Sequence, residues 1–364
     1  MNSLIDHFTK FLSNIQPDGK RVELATDIPD KLREYLKDTD KIKTVDPHTR
    51  LSGSYSRYTT IKEIKDVDIL LFINEEYKNG EDSVKKVINE LVNALGGFPK
   101  YLKDESGKVN ADLALKRQRR SVQVHITLDE QDFDIDVVPS IVEDGIEKPL
   151  LVPDRDLSKW VLSDPLGYSK LLSKINKENV NKVVPLIKMF KHWRDVQMKR
   201  KRPKSYWLEC MIVKAANEEK LNIKDASWGE LFLSLLSFIY NDFHDKWKNS
   251  KEVPLIKDPM LANNVAKSWT RDEFESFMKH VEESKRNAEK AINEKDEDES
   301  IRLWQSLFND DDEKEYFPSK IEETLKNALV GGVSFVSSSG KVTSTKPQSE
   351  KSWQSPSHRN YGDS

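Results

Sequence analysis

Two short acidic segments constrain the fold of this chain more than anything else in it. One is Asp66-Val67-Asp68, at the head of the apolar run DVDILLFI; the other is Asp132-Phe133-Asp134-Ile135-Asp136, which leads into Val137-Val138-Pro139. Side chains at i and i+2 of a strand share a face, so in each segment the acids gather on one side and the apolar residues on the other. Carboxylates crowded together repel, which does nothing for stability but suits the holding of a divalent cation. Ahead of them, in the small polar stretch LSGSYSRYTTI, Gly53 would let backbone approach a phosphate and Ser54 would offer amide and hydroxyl donors. A lone Asp-x-Asp also describes the wet face of an edge strand; the second acidic strand favours the functional reading. Asp66 and Asp68 with a third ligand, Asp134 or Asp136, describe a two-metal phosphoryl-transfer site. Asp136, directly before Val-Val-Pro, is preferred.

Around these strands the pattern divides the chain. Residues from Ser3 to Leu36 read as helices, with Leu4, Phe8, Phe11 and Leu12 and then Ile28, Leu32 and Tyr35 at helical spacing. SVKKVINELVNALGG is a helix with Val84, Val87, Ile88, Leu91 and Leu95 on one stripe, and SVQVHITL and DFDIDVVPSIV are strands. After Pro153 nearly every segment has helical period, including VVPLIKMFKHWRDVQ, with Leu186, Phe190 and Trp193 on one side, and SYWLECMIVKAANEE. The charged stretch EKDEDESIRLW reads as a solvated helix end. The expected organisation is N-terminal helices and a catalytic sheet over 1–155, a helical domain completing the cleft over 156–330, and a disordered Ser-rich tail over 331–364.

Composition excludes several classes. Lys plus Arg number 59 against 62 Asp plus Glu, a net charge of −3, so nucleic acid is not expected as the main ligand. One cysteine, Cys210, cannot form an internal disulfide, and no Cys/His cluster has zinc spacing. No apolar run approaches membrane-spanning length and the N-terminus lacks a signal-peptide core, so a cytoplasmic protein without a membrane partner is expected.

The Gly-Ser, the DVDI strand and the DxDVVP strand together resemble the DNA-polymerase-β-type nucleotidyltransferases. Within them the chain is most similar to the oligoadenylate-synthase and cyclic GMP–AMP synthase branch and its bacterial relatives, the CD-NTases of antiphage signalling. Further motifs carry the resemblance over roughly residues 1–318. LVPDRDLSKWVLSDP looks like the link into the helical half, PLIKMFKHW and PKSYWLECMI like a helix pair that contacts triphosphate, DPMLANNVAKSW like a DP…NNV segment, and LWQSLFNDDDEKEYFP like the closing motif, with Asn309 where Gly is usual.

The resemblance implies an α+β fold, a polymerase-β-like nucleotidyltransferase sheet with a helical second half. It also implies a metal-dependent enzyme that joins NTPs, ATP among them, into a cyclic di- or trinucleotide using two Mg²⁺ or Mn²⁺ ions. Asp66, Asp68 and Asp136 would be the catalytic metal ligands, Gly53 and Ser54 would hold donor phosphates, and Lys191 and Ser205 would engage the triphosphate. Operon effectors or regulatory proteins are the implied partners. Composition alone does not separate Lys191 from Lys188; the register of the motif selects Lys191. Ser205, at a helix start, is also an ordinary N-cap. His125 reads as a sheet residue, Cys210 as core, the run Lys199–Arg202 as a solvated loop, and Arg117, Arg119 and Arg120 as either cleft or strand-end residues. The rival readings are an RNA- or tRNA-directed nucleotidyltransferase with the same carboxylates and a catalytically silent nucleotide-binding regulator.

Overall fold

The two acidic segments become adjacent strands at the centre of a seven-stranded sheet. In the computed structural model the described residues are 4–17, 19–62, 64, 66–102, 111–128, 131–218, 220–310, 314–321, 335–336 and 342–343. They form α1 (Ile5–Asn14), α2 (Gly19–Asp38), β1 (Thr44–Ser52), α3 (Gly53–Ser56), β2 (Asp66–Ile73), α4 (Ser83–Leu95), α5 (Phe98–Tyr101), β3 (Ala111–Arg117), β4 (Val122–Leu128), β5 (Gln131–Ile141), β6 (Leu150–Asp154) and β7 (Lys159–Ser163). Then follow α6 (Pro165–Glu178), α7 (Val183–Gln197), α8 (Ser205–Asn217), α9 (Trp228–Lys248), α10 (Arg271–Asn293), α11 (Glu297–Phe308), β8 (Phe335–Val336) and β9 (Val342–Thr343). The described residues divide into two compact units, Pro17–Leu171 and residues 4–16 together with those from Leu172 onward.

In the first unit the strand order is β1-β2-β5-β4-β3, with β6 on β5 and β7 on β6. β2 and β5 run parallel and the other neighbours antiparallel, which makes the sheet mixed. Alternation assigns the faces. Val67, Ile69 and Leu71 of β2 and Phe133, Ile135 and Val137 of β5 enter one buried cluster with Leu32 and Leu36 of α2 and Val87, Ile88 and Leu91 of α4. The acids take the opposite face. Farther along β2 that face also turns apolar, Leu70 and Phe72 packing with Leu150, so the strand is buried on both sides beyond its catalytic end.

The segment Leu150–Ser163 departs from expectation. It reads as a link into helices, yet Leu150–Asp154 and Lys159–Ser163 pair as a hairpin that extends the sheet, with Val152 opposite Val161. Its apolar pairs, Leu151 with Leu162 and Val152 with Val161, outweigh the surrounding charge.

The second unit is helical. α7 is buried on nearly every side, not on one stripe: Lys188, Lys191, His192 and Arg194 are buried with Leu186, Phe190 and Trp193. α1 belongs to this unit, where Phe11 lies 4.4 Å (ring centroids) from Phe308 and Phe8 lies 5.0 Å from Trp304. Asp296 caps α11 by accepting from the Glu299 amide, so the charged stretch expected as a helix end is the helix's first turn. Asn309 holds the following turn with its side chain, donating to the Phe317 carbonyl and accepting from the Phe317 amide at 3.0 and 2.7 Å. The tail expected to be disordered lies outside the described residues except for β8 and β9, which pair antiparallel. No described helix is long and apolar enough to cross a membrane.

Candidate active site

The β2–β5 register sets the carboxylates side by side: Asp66 pairs with Asp134, and Asp68 with Asp136. Laterally paired residues of neighbouring strands share a face, so all four project together. Asp134 is engaged elsewhere, its Oδ1 lying 2.7 Å from Nδ1 of His125 on β4. Asp136 accepts a long hydrogen bond from the Ser121 hydroxyl at 3.4 Å. His125 is thus a sheet residue that holds its neighbour Asp134.

Crowding shows in the acid–base behaviour. Burial first, and then the charges of Asp66 and Asp136, push the Asp68 carboxyl up from 3.8 to about 7, against a smaller opposing effect of Arg57. Burial and Asp66 likewise push Asp136 up to about 6, with the Ser121 hydrogen bond acting the other way. Arg57 is buried, its guanidinium stacked 5.1 Å from the Tyr168 ring centroid. Sequence reasoning passed over it, although its place three residues beyond Ser54 was the available signal.

Gly53 opens α3 with φ +71°, and a Cβ there would lie 1.7 Å from Oδ2 of Asp68. Only glycine fits both the left-handed backbone and the closeness. Ser54 follows, its Oγ accepting from the Thr60 hydroxyl at 3.0 Å and its carbonyl from the Thr59 amide at 2.9 Å. Gly53, Ser54, Asp66, Asp68 and Asp136 thus come together in one unit.

These residues suit a hard divalent cation, because their oxygens are anionic and crowded on one face, with the Arg57 charge opposing the effect at Asp68 without cancelling it. Among the described residues no carboxylate, imidazole or thiol trio is drawn in closely enough to be a ready-formed ion site.

Lys191 and Ser205 belong to the other unit. Lys191 Nζ lies 2.6 Å from Glu209 Oε1, with both side chains almost wholly buried. Lys188 donates to Gln16 Oε1 at 2.7 Å, and burial, aided by the Lys191 charge, pulls its ammonium down to about 7. The N-cap of α8 is Lys204, not Ser205, which is the first helical residue. Arg194 Nη1 donates to Ser205 Oγ and to the Pro203 carbonyl, each at 3.0 Å. Glu209 and Arg194 were missed in the sequence because their roles are set by residues on a neighbouring helix or loop. Cys210 is buried, as expected. Arg119 and Arg120 hold the buried Asp154, which makes them strand-end residues.

The model of the Second Messenger Oligonucleotide or Dinucleotide Synthetase domain matches residues 2–176. A cyclic AMP-AMP-AMP synthase from an Acinetobacter species is 30% identical over 311 residues, covering 83% of each chain. A cyclic AMP-AMP-GMP synthase from Enterobacter hormaechei is 25% identical over 349 residues, covering 83% of this chain and 90% of its own. Among solved structures, Escherichia coli CdnC with ATP superposes with a TM-score of 0.62 at 16% identity, over 83% of this chain and 96% of that one. The same protein has been solved with HORMA-deltaN, and that structure gives a TM-score of 0.59 at 14% identity over 81% and 93% of the two chains. The structural likeness bears out the α+β nucleotidyltransferase fold.

Proposed function

The chain belongs to the Second Messenger Oligonucleotide or Dinucleotide Synthetase family, the CD-NTases, and from that premise we propose that it joins NTPs, ATP among them, into a cyclic di- or trinucleotide. It is a nucleotidyltransferase of the cyclic-oligonucleotide-synthase type. The observation that carries the reading is the carboxylate face of β2 and β5, where Asp66, Asp68 and Asp136 crowd beside the one glycine that admits such closeness.

In each round a ribose hydroxyl attacks the α-phosphorus of a donor NTP, the P–O bond to the β-phosphate breaks and pyrophosphate leaves. The last round closes the ring. Two divalent ions, Mg²⁺ or Mn²⁺, held by Asp66, Asp68 and Asp136, would supply countercharge and make the hydroxyl more acidic. Asp136 takes the proton of the acceptor hydroxyl on a carboxylate oxygen. Gly53 and Ser54 hold the donor phosphates, and Lys191 and Ser205 the triphosphate. Glu209 fixes the Lys191 ammonium. Arg194 occupies one lone pair of Ser205 Oγ, which leaves the hydroxyl proton for a phosphate oxygen.

We place this activity in antiphage signalling in the cytoplasm, where NTPs are, under the control of a regulatory protein or beside an effector. The support is family membership and a CdnC neighbour solved with HORMA-deltaN. The test is incubation of the purified protein with each α-phosphate-labelled NTP and Mg²⁺ or Mn²⁺, followed by phosphatase. Phosphatase-resistant label in a single small product supports the reading. Release of all label as inorganic phosphate overturns it.

A further inference from the structure

A cavity of about 390 Å³ opens where the start of α4 meets the end of β3 and the turn between β6 and β7. Three cationic side chains line it, Lys85, Arg117 and Arg155, against one acid, Asp82. It is separate from the carboxylate site. Arg117 pairs with Val122, Val122 with Val137 and Val137 with Ile69, and these apolar partners lie buried against Val87, Ile88 and Leu91 of α4. The next row, Lys116–Gln123–Asp136–Asp68, faces the other way. The cavity therefore sits on the sheet face opposite the acids.

How these cations are held points to a ligand. Arg119 and Arg120, a few residues from Arg117, are neutralised by the buried Asp154 at 2.8 and 3.1 Å. By contrast, among the described residues no carboxylate lies within 4.0 Å of Lys85, Arg117 or Arg155. Neutral acceptors anchor both guanidiniums by one edge only. Arg117 Nε donates to Asn89 Oδ1 at 3.2 Å, and Arg155 Nη1 donates to the carbonyls of Arg117 and Gln118 at 3.2 and 3.0 Å. The remaining guanidinium N–H groups meet no acceptor among the described residues. Two planar forks pinned in place, with an ammonium beside them, match the geometry of phosphate oxygens. Val84 and Ile88 add an apolar wall, and the volume falls within the range of small-molecule sites.

We propose that this cavity binds a small phosphate ester or phosphoanhydride, with Arg117, Arg155 and Lys85 on its phosphates. A free nucleotide and an oligonucleotide product share that chemistry. The experiment follows hydrogen exchange of the full chain, without divalent metal, at segments 83–89 and 155–158 during titration with pyrophosphate, ATP or the linear dinucleotide pApA. Because the signal is local, binding at the carboxylate site or failure of the catalytic reading does not affect it. Exchange in these segments should slow saturably, and the compound acting at lowest concentration identifies the source. Arg117→Gln/Arg155→Gln should raise the half-saturating concentration by roughly tenfold or more, as loss of charged hydrogen bonds does. Lys85→Gln, which disturbs none of the described hydrogen bonds, should raise it less. If none of the three compounds slows exchange there, or the double variant is protected like the parent, the site does not exist.

Discussion

Gly53 and Asp68 stand so close that a Cβ on the glycine would lie 1.7 Å from the carboxylate oxygen Oδ2. The α3 turn is thereby tied to the acidic end of β2, and anything that pushes them apart displaces a proposed metal ligand. Gly53→Ala should accordingly lower the melting temperature, because φ is +71° there, and reduce product formation at least roughly tenfold. A variant with turnover near that of the parent would show that Asp68 need not stay where the glycine puts it.

Asp68→Asn and Asp66→Asn should each abolish product while the protein remains folded. In metal-free protein a further effect follows from the Asp68 carboxyl, raised to about 7 by burial and by Asp66 and Asp136. Between about pH 4 and 7 the folded state then binds more protons than the unfolded one. Stability therefore falls as pH rises through that window. Melting curves with chelator present should show this slope in the parent and a flatter one in Asp68→Asn. Retained activity above about a tenth of the parent, little more than 1 kcal/mol of barrier, would contradict the ligand assignment.

Lys188 gives the opposite sign. Its ammonium is pulled down to about 7 by burial and by Lys191, so between about pH 7 and 10 the unfolded state binds more protons and stability rises with pH. Lys188→Met should remove that rise and raise the melting temperature at neutral pH, since an apolar side chain of similar length replaces a costly buried charge. A clear drop in melting temperature would mean that the charge is well compensated in the fold.

Arg194→Lys tests the positioning of Ser205. A lysine keeps the charge but has a single nitrogen, so it cannot hold Asp195, as Nε and Nη2 do, while also reaching Ser205 Oγ and the Pro203 carbonyl, as Nη1 does. The KM for ATP should rise several-fold to roughly tenfold while kcat changes little. Equal loss in kcat with unchanged KM would place Arg194 outside triphosphate binding.

Much of this was legible in the sequence because the acidic ends of β2 and β5 alternate, so that the core face and the acidic face can be read there from residue identity. The parallel register that sets Asp68 beside Asp136 was not, since it depends on pairing across a long stretch of intervening chain. β6 and β7 were hidden because Arg155 and Asp156 interrupt short apolar runs that pair only once the hairpin forms. The burial of Lys188 and Lys191 could not be read from composition, which does not separate the two. Gln16 and Glu209, brought up from other parts of the chain, help make it intelligible. The amide pairing of Asn309 with Phe317 shows how a departure from a familiar motif can be absorbed by one side chain.

The most direct test of the central claim is the mass of the product formed from NTPs and Mg²⁺ or Mn²⁺. Ring closure leaves each nucleotide as an internal monophosphate, with no terminal phosphate and no free end to extend. The account predicts one species whose mass corresponds to two or three such units, and which is absent with Asp68→Asn. A ladder of linear products bearing 5′-triphosphates, or no nucleotide joining at all, would contradict it.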